Sequence, residues 1–134
     1  MPLTLAIANQ KGGVGKTSTT VNVAAALAEA GLHVMVIDAD SQGNASTALG
    51  VAHDDDQVSI YDVLVDGTRI DEVVVATHFS ETLLCVPATI DVAAIEIELI
   101  STPERESRLH HALQEYLRSR ESGGLPRLDY VLID

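Results

Sequence analysis

The stretch Lys11-Gly12-Gly13-Val14-Gly15-Lys16-Thr17 lies between a short apolar run, residues 3–9, and a segment, residues 17–30, whose composition predicts a helix. A strand, a glycine-rich loop and a helix in this order form the context that a phosphate-binding loop requires. Glycine has no Cβ, so consecutive backbone N–H groups can surround phosphate oxygens, and the positive end of the following helix adds to the attraction. The sequence therefore predicts a nucleotide-phosphate site here rather than a purely structural glycine turn.

Three side chains of this loop carry specific expectations. Lys16 is expected to reach the β- and γ-phosphates, and the Thr17 hydroxyl is expected to ligate Mg²⁺. Lys11 is a second cation, and a second cation beside a triphosphate offsets negative charge that grows in the transition state. The predicted nucleotide-binding residues are Lys11, Gly12, Gly13, Val14, Gly15, Lys16, Thr17 and Ser18.

The rest of the pattern predicts an α/β fold with a parallel sheet and helices on both faces. Residues 33–38 are β-branched and apolar up to the last residue, which is typical of a parallel strand covered on both sides. Two more strands are expected at residues 83–86 and 129–134, which gives four parallel strands in total. The helix at 17–30 has apolar residues on nearly every side, which indicates burial on several sides.

The segments between the strands are less regular. Helices are expected at residues 60–65 and 90–100, and a capping-box pattern at residues 101–104 predicts the start of a longer helix. Residues 39–46 indicate a polar loop, whereas residues 68–82 fit a helix and a strand equally well.

Composition restricts the function classes. The chain has 134 residues, 46% of them apolar, which favours one folded domain and excludes disorder as the main state. No apolar run reaches the roughly 18 uncharged residues of a membrane span, and the start lacks a signal-peptide pattern, so we expect a cytoplasmic protein without a membrane association. A net charge of −12 disfavours broad nucleic-acid binding by this stretch, and the single cysteine excludes an internal disulfide.

Three carboxylates stand at the ends of predicted strands. Asp38 and Asp40 begin the segment Asp38-Ala39-Asp40-Ser41-Gln42-Gly43-Asn44, and Asp134 follows the apolar run 131–133. Ligands of open α/β sheets bind at the carboxyl ends of the strands. A carboxylate there can orient a water for attack on the γ-phosphate or hold Mg²⁺ through its water shell. The competing interpretation is that these are ordinary turn residues at strand ends.

The glycine loop departs from the common phosphate-loop pattern, because Gln10 stands where a glycine is usual and Lys11 follows it. This form resembles the deviant Walker A box of the ParA/MinD family of P-loop ATPases. The resemblance implies a nucleotide-sandwich homodimer in which Lys11 contacts the partner's phosphates. Residues 94–109 are similar to the corresponding stretch of ParA/Soj-like partition proteins.

The same resemblance extends to the carboxylates. The segment from Asp38 resembles the D-x-D-P-Q-G-N segment of ParA-type proteins, with Ser41 where proline is usual. It implies that Asp40 positions the lytic water and that Asp38 lies near the water shell of the metal, while Asp134 fits the Walker B aspartate that binds Mg²⁺ through water. The implied catalytic residues are Lys11, Lys16 and Asp40, and the implied metal residues are Thr17, Asp38 and Asp134.

The resemblance implies a cytoplasmic, nucleoid-associated partition ATPase with weak intrinsic activity, which takes ATP and Mg²⁺ as cofactors. Nucleotide would drive dimerisation, the dimer would bind DNA nonspecifically, and a ParB-like partner would stimulate hydrolysis. Because the resemblance covers the N-terminal half of such proteins, residues 1–134 are expected to form one truncated nucleotide-binding domain, with the DNA-binding residues outside it. Two alternatives stay open, a MinD-like membrane-associated ATPase and a non-hydrolysing nucleotide-binding or interaction fragment.

Overall fold

The computed structural model describes residues 2–6, 15–54, 56–100 and 107–134. Its strands are β1 (Leu3–Ala6), β2 (Val34–Ile37), β3 (Val75–Ala76), β4 (Leu83–Val86) and β5 (Tyr130–Ile133). Its α-helices are α1 (Lys16–Glu29), α2 (Asn44–Ala48), α3 (Ile95–Leu99) and α4 (Arg108–Ser122). Lys11, Gly12, Gly13 and Val14, and the capping-box pattern at 101–104, lie outside the described residues.

The strands form one sheet in the order β1-β5-β2-β4-β3. Four neighbouring strands are parallel, as predicted, and β3 pairs antiparallel with β4 at the edge. In the register of the sheet, Ile37 of β2 lies opposite both Ile133 of β5 and Val86 of β4. The carboxyl ends of these strands therefore lie side by side.

Helices cover both faces of the sheet, which confirms the predicted fold class. Successive strand residues point to opposite faces, so Met35 and Val131 join a cluster with α4, whereas Val36 and Leu132 join a cluster with α1 and α2. The first cluster includes Leu113 of α4. Apolar residues run continuously along β2 because it is buried on both sides.

The expectation for α1 is wrong in one respect. Its buried residues are Thr20, Ala24 and Ala28, which are spaced by four and form one stripe toward the sheet. Val23, on another side of the helix, is 39% exposed. The small residues of α1 reflect close packing on one sheet face, not burial all round.

Three segments between the strands also differ from expectation. The predicted loop 39–46 already contains the first residues of α2. The predicted helix 90–100 is a 3-10 turn, Ile90–Ala94, followed by α3. The predicted helix 60–65 becomes a π-helical turn at Asp62–Asp66, and the N–H of Ser59 donates to Asp62 Oδ2 at its start.

None of the helices in the described parts of the chain has the length and apolarity that crossing a membrane demands.

Candidate nucleotide site

At the carboxyl edge of the sheet, three of the residues predicted from the sequence are in contact: Lys16, Thr17 and Asp134. Asp38 and Asp134 directly follow Ile37 and Ile133, which are neighbours in the sheet. Helix α1 begins at Lys16 on the same edge, after Gly15 at φ 84°. Glycine adopts this left-handed conformation without the steric cost that other residues have, so Gly15 permits the turn into α1.

Asp134 is the centre of this arrangement, and its side chain is fully buried. Lys16 Nζ donates to Asp134 Oδ1 at 3.1 Å, and Thr17 Oγ1 donates to Asp134 Oδ2 at 2.9 Å. Thr20 Oγ1 lies 3.1 Å from Asp134 Oδ1. A buried carboxylate is tolerated only when it is paired and hydrogen-bonded, and Asp134 meets both conditions through α1.

Asp38 is buried as well, and it accepts hydrogen bonds from the loop that follows it and from helix α2. Its Oδ2 accepts hydrogen bonds from the Ser46 N–H at 2.9 Å and from the Ser46 hydroxyl at 2.7 Å, and its Oδ1 accepts from the Asp40 N–H at 3.1 Å. Burial raises the pKa of the Asp38 carboxyl, and the negative charge of Asp134 adds to this, whereas the hydrogen bonds from Ser46 and Asp40 oppose it. In this structure Asp38 organises the loop that carries Asp40.

Asp40 is only partly buried and is held more loosely. Its Oδ1 accepts a hydrogen bond from the Gln42 N–H at 3.1 Å, and its backbone carbonyl accepts one from Gly43 at 2.9 Å. No donor from the described residues reaches its second carboxylate oxygen. Asp40 also lines an open groove of about 410 Å³ together with Ala39, Ser41, Ile60, Leu64, Val92, Ala93 and Ile95. That oxygen can accept a hydrogen bond from a water molecule.

The structure thus joins Lys16, Thr17 and Asp134, and places Asp38 one strand away. Ser18 lies on an exposed side of α1. The sequence interpretation missed the buried hydroxyls of Thr20 and Ser46. Thr20 has a detectable signal, since it lies four residues after Lys16 and therefore on the same helix face. Ser46 has none, because its contact with Asp38 depends on how the loop folds.

The residues of the site suit Mg²⁺ and a phosphate. Thr17 and Asp134 supply hard oxygen atoms, which Mg²⁺ prefers, and Lys16 supplies a cation for phosphate oxygens. Within the described ranges, no three His, Cys, Asp or Glu side chains assemble as a metal site. Mg²⁺ keeps several waters and takes further ligands from substrate phosphates rather than from a full protein cage.

Comparisons with known proteins identify the family of the chain. The family model described as "AAA domain" matches residues 3–134. The sporulation initiation inhibitor protein Soj of Bacillus subtilis (strain 168) is 44% identical over 130 residues, which are 97% of this chain and 48% of Soj. The chromosome partitioning protein ParA of Caulobacter vibrioides (strain NA1000 / CB15N) is 45% identical over 130 residues, 97% of this chain and 46% of ParA. The chain spans about half the length of these curated relatives.

A solved structure shows the same fold. The cobyrinic acid a,c-diamide synthase of Mycobacterium smegmatis, with a bound ATP analogue and magnesium, superposes with a TM-score of 0.86 at 36% identity. The match covers 100% of this chain and 51% of that protein. Together with the family match and the Soj and ParA relatives, this establishes that the chain belongs to the AAA domain family and, within it, to the ParA/Soj-like P-loop ATPases.

Proposed function

We propose that residues 1–134 form one nucleotide-binding domain of a ParA-type switch protein that binds ATP with Mg²⁺ and hydrolyses it. The observation that supports this best is the convergence of Lys16 and Thr17 on the buried carboxylate of Asp134. A lysine and a hydroxyl at the start of a helix after a glycine loop, together with a carboxylate at the end of a neighbouring strand, are the parts that P-loop enzymes use for a nucleoside triphosphate. ATP binding in the M. smegmatis neighbour, which holds an ATP analogue, supports the choice of nucleotide.

Each residue has a defined task in this proposal. Lys16 leaves Asp134 and neutralises phosphate oxygens, while Thr17 and Asp134 hold the metal, Asp134 through water. Mg²⁺ supplies charge neutralisation at the phosphates when it is bound. Asp40 accepts a hydrogen bond from the attacking water and orients it. Asp38 supports the metal's water shell from the neighbouring strand end.

The remaining loop residues follow the family pattern. The backbone N–H groups of Gly12, Gly13, Val14 and Gly15 would surround the phosphates, with Ser18 on the first turn of α1. Lys11 would cross to the nucleotide of a second subunit, so that ATP binding and dimerisation are coupled. These assignments rest on the resemblance of the loop.

At the level of the whole protein, we propose ATP-dependent dimerisation, nonspecific DNA association through residues outside this chain, and stimulation of hydrolysis by a ParB-like partner in chromosome or plasmid partition. The relatives Soj and chromosome partitioning protein ParA support this assignment. The chain itself carries net charge −12, so its own surface is a poor DNA ligand.

The test is Mg²⁺-ATP turnover and ATP affinity of the purified protein and three variants. Lys16→Ala should abolish ATP binding, because the phosphates lose their main cation. Asp40→Ala should bind ATP within about threefold of the parent and hydrolyse it at least about tenfold more slowly, since a water-positioning group acts on the chemical step. Asp56→Ala, an exposed loop aspartate, is the matched control. Equal turnover of parent and Asp40→Ala would remove Asp40 from the mechanism.

Lys11→Ala tests the coupling to dimerisation. ATP affinity of the monomer should be retained, and the ATP-dependent increase in mass seen by light scattering should disappear. Unchanged dimerisation would contradict the proposed role of Lys11. A parent that binds ATP without turnover, alone and with DNA and a ParB-like partner, would identify a non-hydrolysing nucleotide-binding protein instead.

A further inference from the structure

Thr20 is a fully buried threonine on α1 whose hydroxyl has two acceptors. Its Oγ1 lies 3.0 Å from the carbonyl oxygen of Lys16 and 3.1 Å from Asp134 Oδ1. The contact with the preceding helical turn is common for threonine in helices. The contact with a buried carboxylate 114 residues away in sequence is not a property of the helix alone. A hydroxyl has one hydrogen and can donate to only one of these acceptors at a time.

Two other described residues, Lys16 and Thr17, donate to the Asp134 carboxylate, and both are expected to leave it. Lys16 Nζ shares Oδ1 with Thr20, and Thr17 Oγ1 binds Oδ2. In the proposed function, Lys16 turns to the phosphates and Thr17 to the metal. Thr20 cannot follow them, because its side chain is packed between α1 and the sheet with no exposed surface.

We propose that Thr20 is a positioning residue for Asp134, an inference that rests on the proposed function. When nucleotide and Mg²⁺ occupy the site, the Thr20 hydroxyl turns from the Lys16 carbonyl and donates to Asp134 Oδ1. This bond fixes the rotation of the carboxylate and leaves Oδ2 free for the water shell of the metal. Loss of a group that orients a metal-binding side chain in this way typically lowers metal affinity about 10- to 100-fold.

The surroundings of Asp134 Oδ1 explain why a hydroxyl is needed at position 20. Without it, Oδ1 of a buried carboxylate would face the apolar side of α1 with no donor from the described residues once Lys16 has left. The carboxylate would then rotate toward other donors or toward water. Threonine and serine can both prevent this, whereas valine, which has the shape of threonine without its hydroxyl, cannot.

The experiment measures binding of a fluorescent ATP analogue to the purified protein as a function of Mg²⁺ concentration, so it does not depend on turnover. Thr20→Val should raise the Mg²⁺ concentration at half-saturation about tenfold or more, the usual scale for loss of an orienting partner. Analogue affinity without Mg²⁺ should change less than about threefold, and Thr20→Ser should restore the parent value within about threefold, because it restores the hydroxyl. Thr19→Val, one residue away on the exposed side of α1, is the matched control and should behave as the parent.

A double variant separates positioning from a general effect on the fold. Asp134→Asn should itself raise the Mg²⁺ concentration at half-saturation. Adding Thr20→Val to Asp134→Asn should then change this concentration by no more than about twofold, since the two residues act through one contact. An equal tenfold effect of Thr20→Val in both backgrounds would overturn the proposal, as would a Thr20→Val response identical to that of the parent. A parent whose analogue binding is insensitive to Mg²⁺ would instead overturn the metal site of the proposed function, so the two failures are distinct.

Discussion

Ser46 binds Asp38 through two hydrogen bonds to a single carboxylate oxygen. The Ser46 hydroxyl donates to Asp38 Oδ2 at 2.7 Å and the Ser46 N–H donates to the same oxygen at 2.9 Å. The hydroxyl oxygen also accepts the N–H of Ala88 at 3.2 Å. One buried side chain therefore connects the end of β2, helix α2 and the segment after β4, and the loop with Asp40 lies between these anchors.

Ser46→Ala should lower the free energy of unfolding by about 2–3 kcal/mol. The substitution removes a hydrogen bond to a buried charge and leaves the Ala88 N–H without its acceptor, and each loss costs on the order of 1–3 kcal/mol. Ser41→Ala, in the same loop but without a side-chain hydrogen bond to the described residues, should cost less than about 0.5 kcal/mol. Urea unfolding measures both. A loss for Ser46→Ala no larger than for Ser41→Ala would show that the network carries no stability.

The features of the fold that follow from local sequence were predictable. The four parallel strands and α1 come from apolar runs bounded by glycine, proline and aspartate, and the structure confirms them. Helix α2 was missed because Asn44–Ala48 is short and polar, and it is held by Asp38 across the loop rather than by its own pattern. Strand β3 has only two residues and exists because β4 offers a free edge.

In the candidate site, too, some features follow from local sequence and others depend on packing. Strand ends and the glycine loop are visible in the sequence, so Lys16, Thr17 and Asp134 could be assigned to one edge before any contact was known. The hydroxyl of Ser46 could not, because its contact with Asp38 depends on how the loop folds, and the spacing of four from Lys16 is the only sequence signal for Thr20, which is one of three threonines within four positions of α1. The packing of α1 on the sheet brings Thr17 and Thr20 to Asp134 and leaves Thr19 exposed.

Gly43→Ala should destabilise the protein by more than the backbone conformation alone explains. Gly43 has φ 64°, and an added Cβ would lie 2.6 Å from His53 Nδ1 and 3.2 Å from the Ala88 carbonyl oxygen. Gly31→Ala is the control, since Gly31 has φ 90° with nothing within 4 Å of an added Cβ. We expect Gly31→Ala to cost about 1 kcal/mol and Gly43→Ala about 1 kcal/mol more, measured by urea unfolding.

Replacing His53 tests whether a Cβ at position 43 clashes with the His53 ring. His53→Ala in the Gly43→Ala background should recover part of the additional loss, because the nearest clash is with the imidazole ring. The Ala88 carbonyl stays in place, so recovery should be incomplete. Equal losses for Gly43→Ala and Gly31→Ala would mean that the loop moves aside at no cost.

The pair of Lys16 and Asp134 should contribute measurably to stability in the absence of nucleotide. Asp134 is fully buried and the Lys16 side chain is 22% exposed, so the Nζ–Oδ1 contact at 3.1 Å is largely shielded from solvent. Among the described residues, Lys16→Met leaves the carboxylate with hydroxyl donors alone, which should cost about 2 kcal/mol. A double-mutant cycle with Asp134→Asn should give a coupling of about 1–2 kcal/mol.

The ion pair of Arg69 and Asp71 is the comparison for this cycle. Its side chains are 53% and 32% exposed, so the same cycle there should give less than about 1 kcal/mol. Urea unfolding without nucleotide measures both couplings. A coupling for Lys16 and Asp134 no greater than for the surface pair would show that Lys16 does not stabilise the nucleotide-free site.

Cys85 should make the stability of the protein depend on pH in the alkaline range. Burial raises the pKa of the Cys85 thiol to about 12, the negative charge of Asp38 adds to this, and a hydrogen bond with Ser46 opposes it. In the unfolded chain a thiol ionises near pH ~8.5, so between that value and the folded pKa unfolding releases a proton. The free energy of unfolding therefore falls as pH rises, by up to about 1.4 kcal/mol per pH unit.

Cys85→Ala isolates this effect, because all other titrating groups are shared. At pH 8 the variant should be the less stable protein by about 1 kcal/mol, since a small cavity replaces the sulfur atom. From pH 8 to pH 10.5 the parent should lose about 2.5 kcal/mol more than the variant, so that the order of stabilities reverses. Urea unfolding at both pH values measures the difference. A difference that stays constant with pH would mean that the buried thiol ionises as easily in the folded protein as in the unfolded chain.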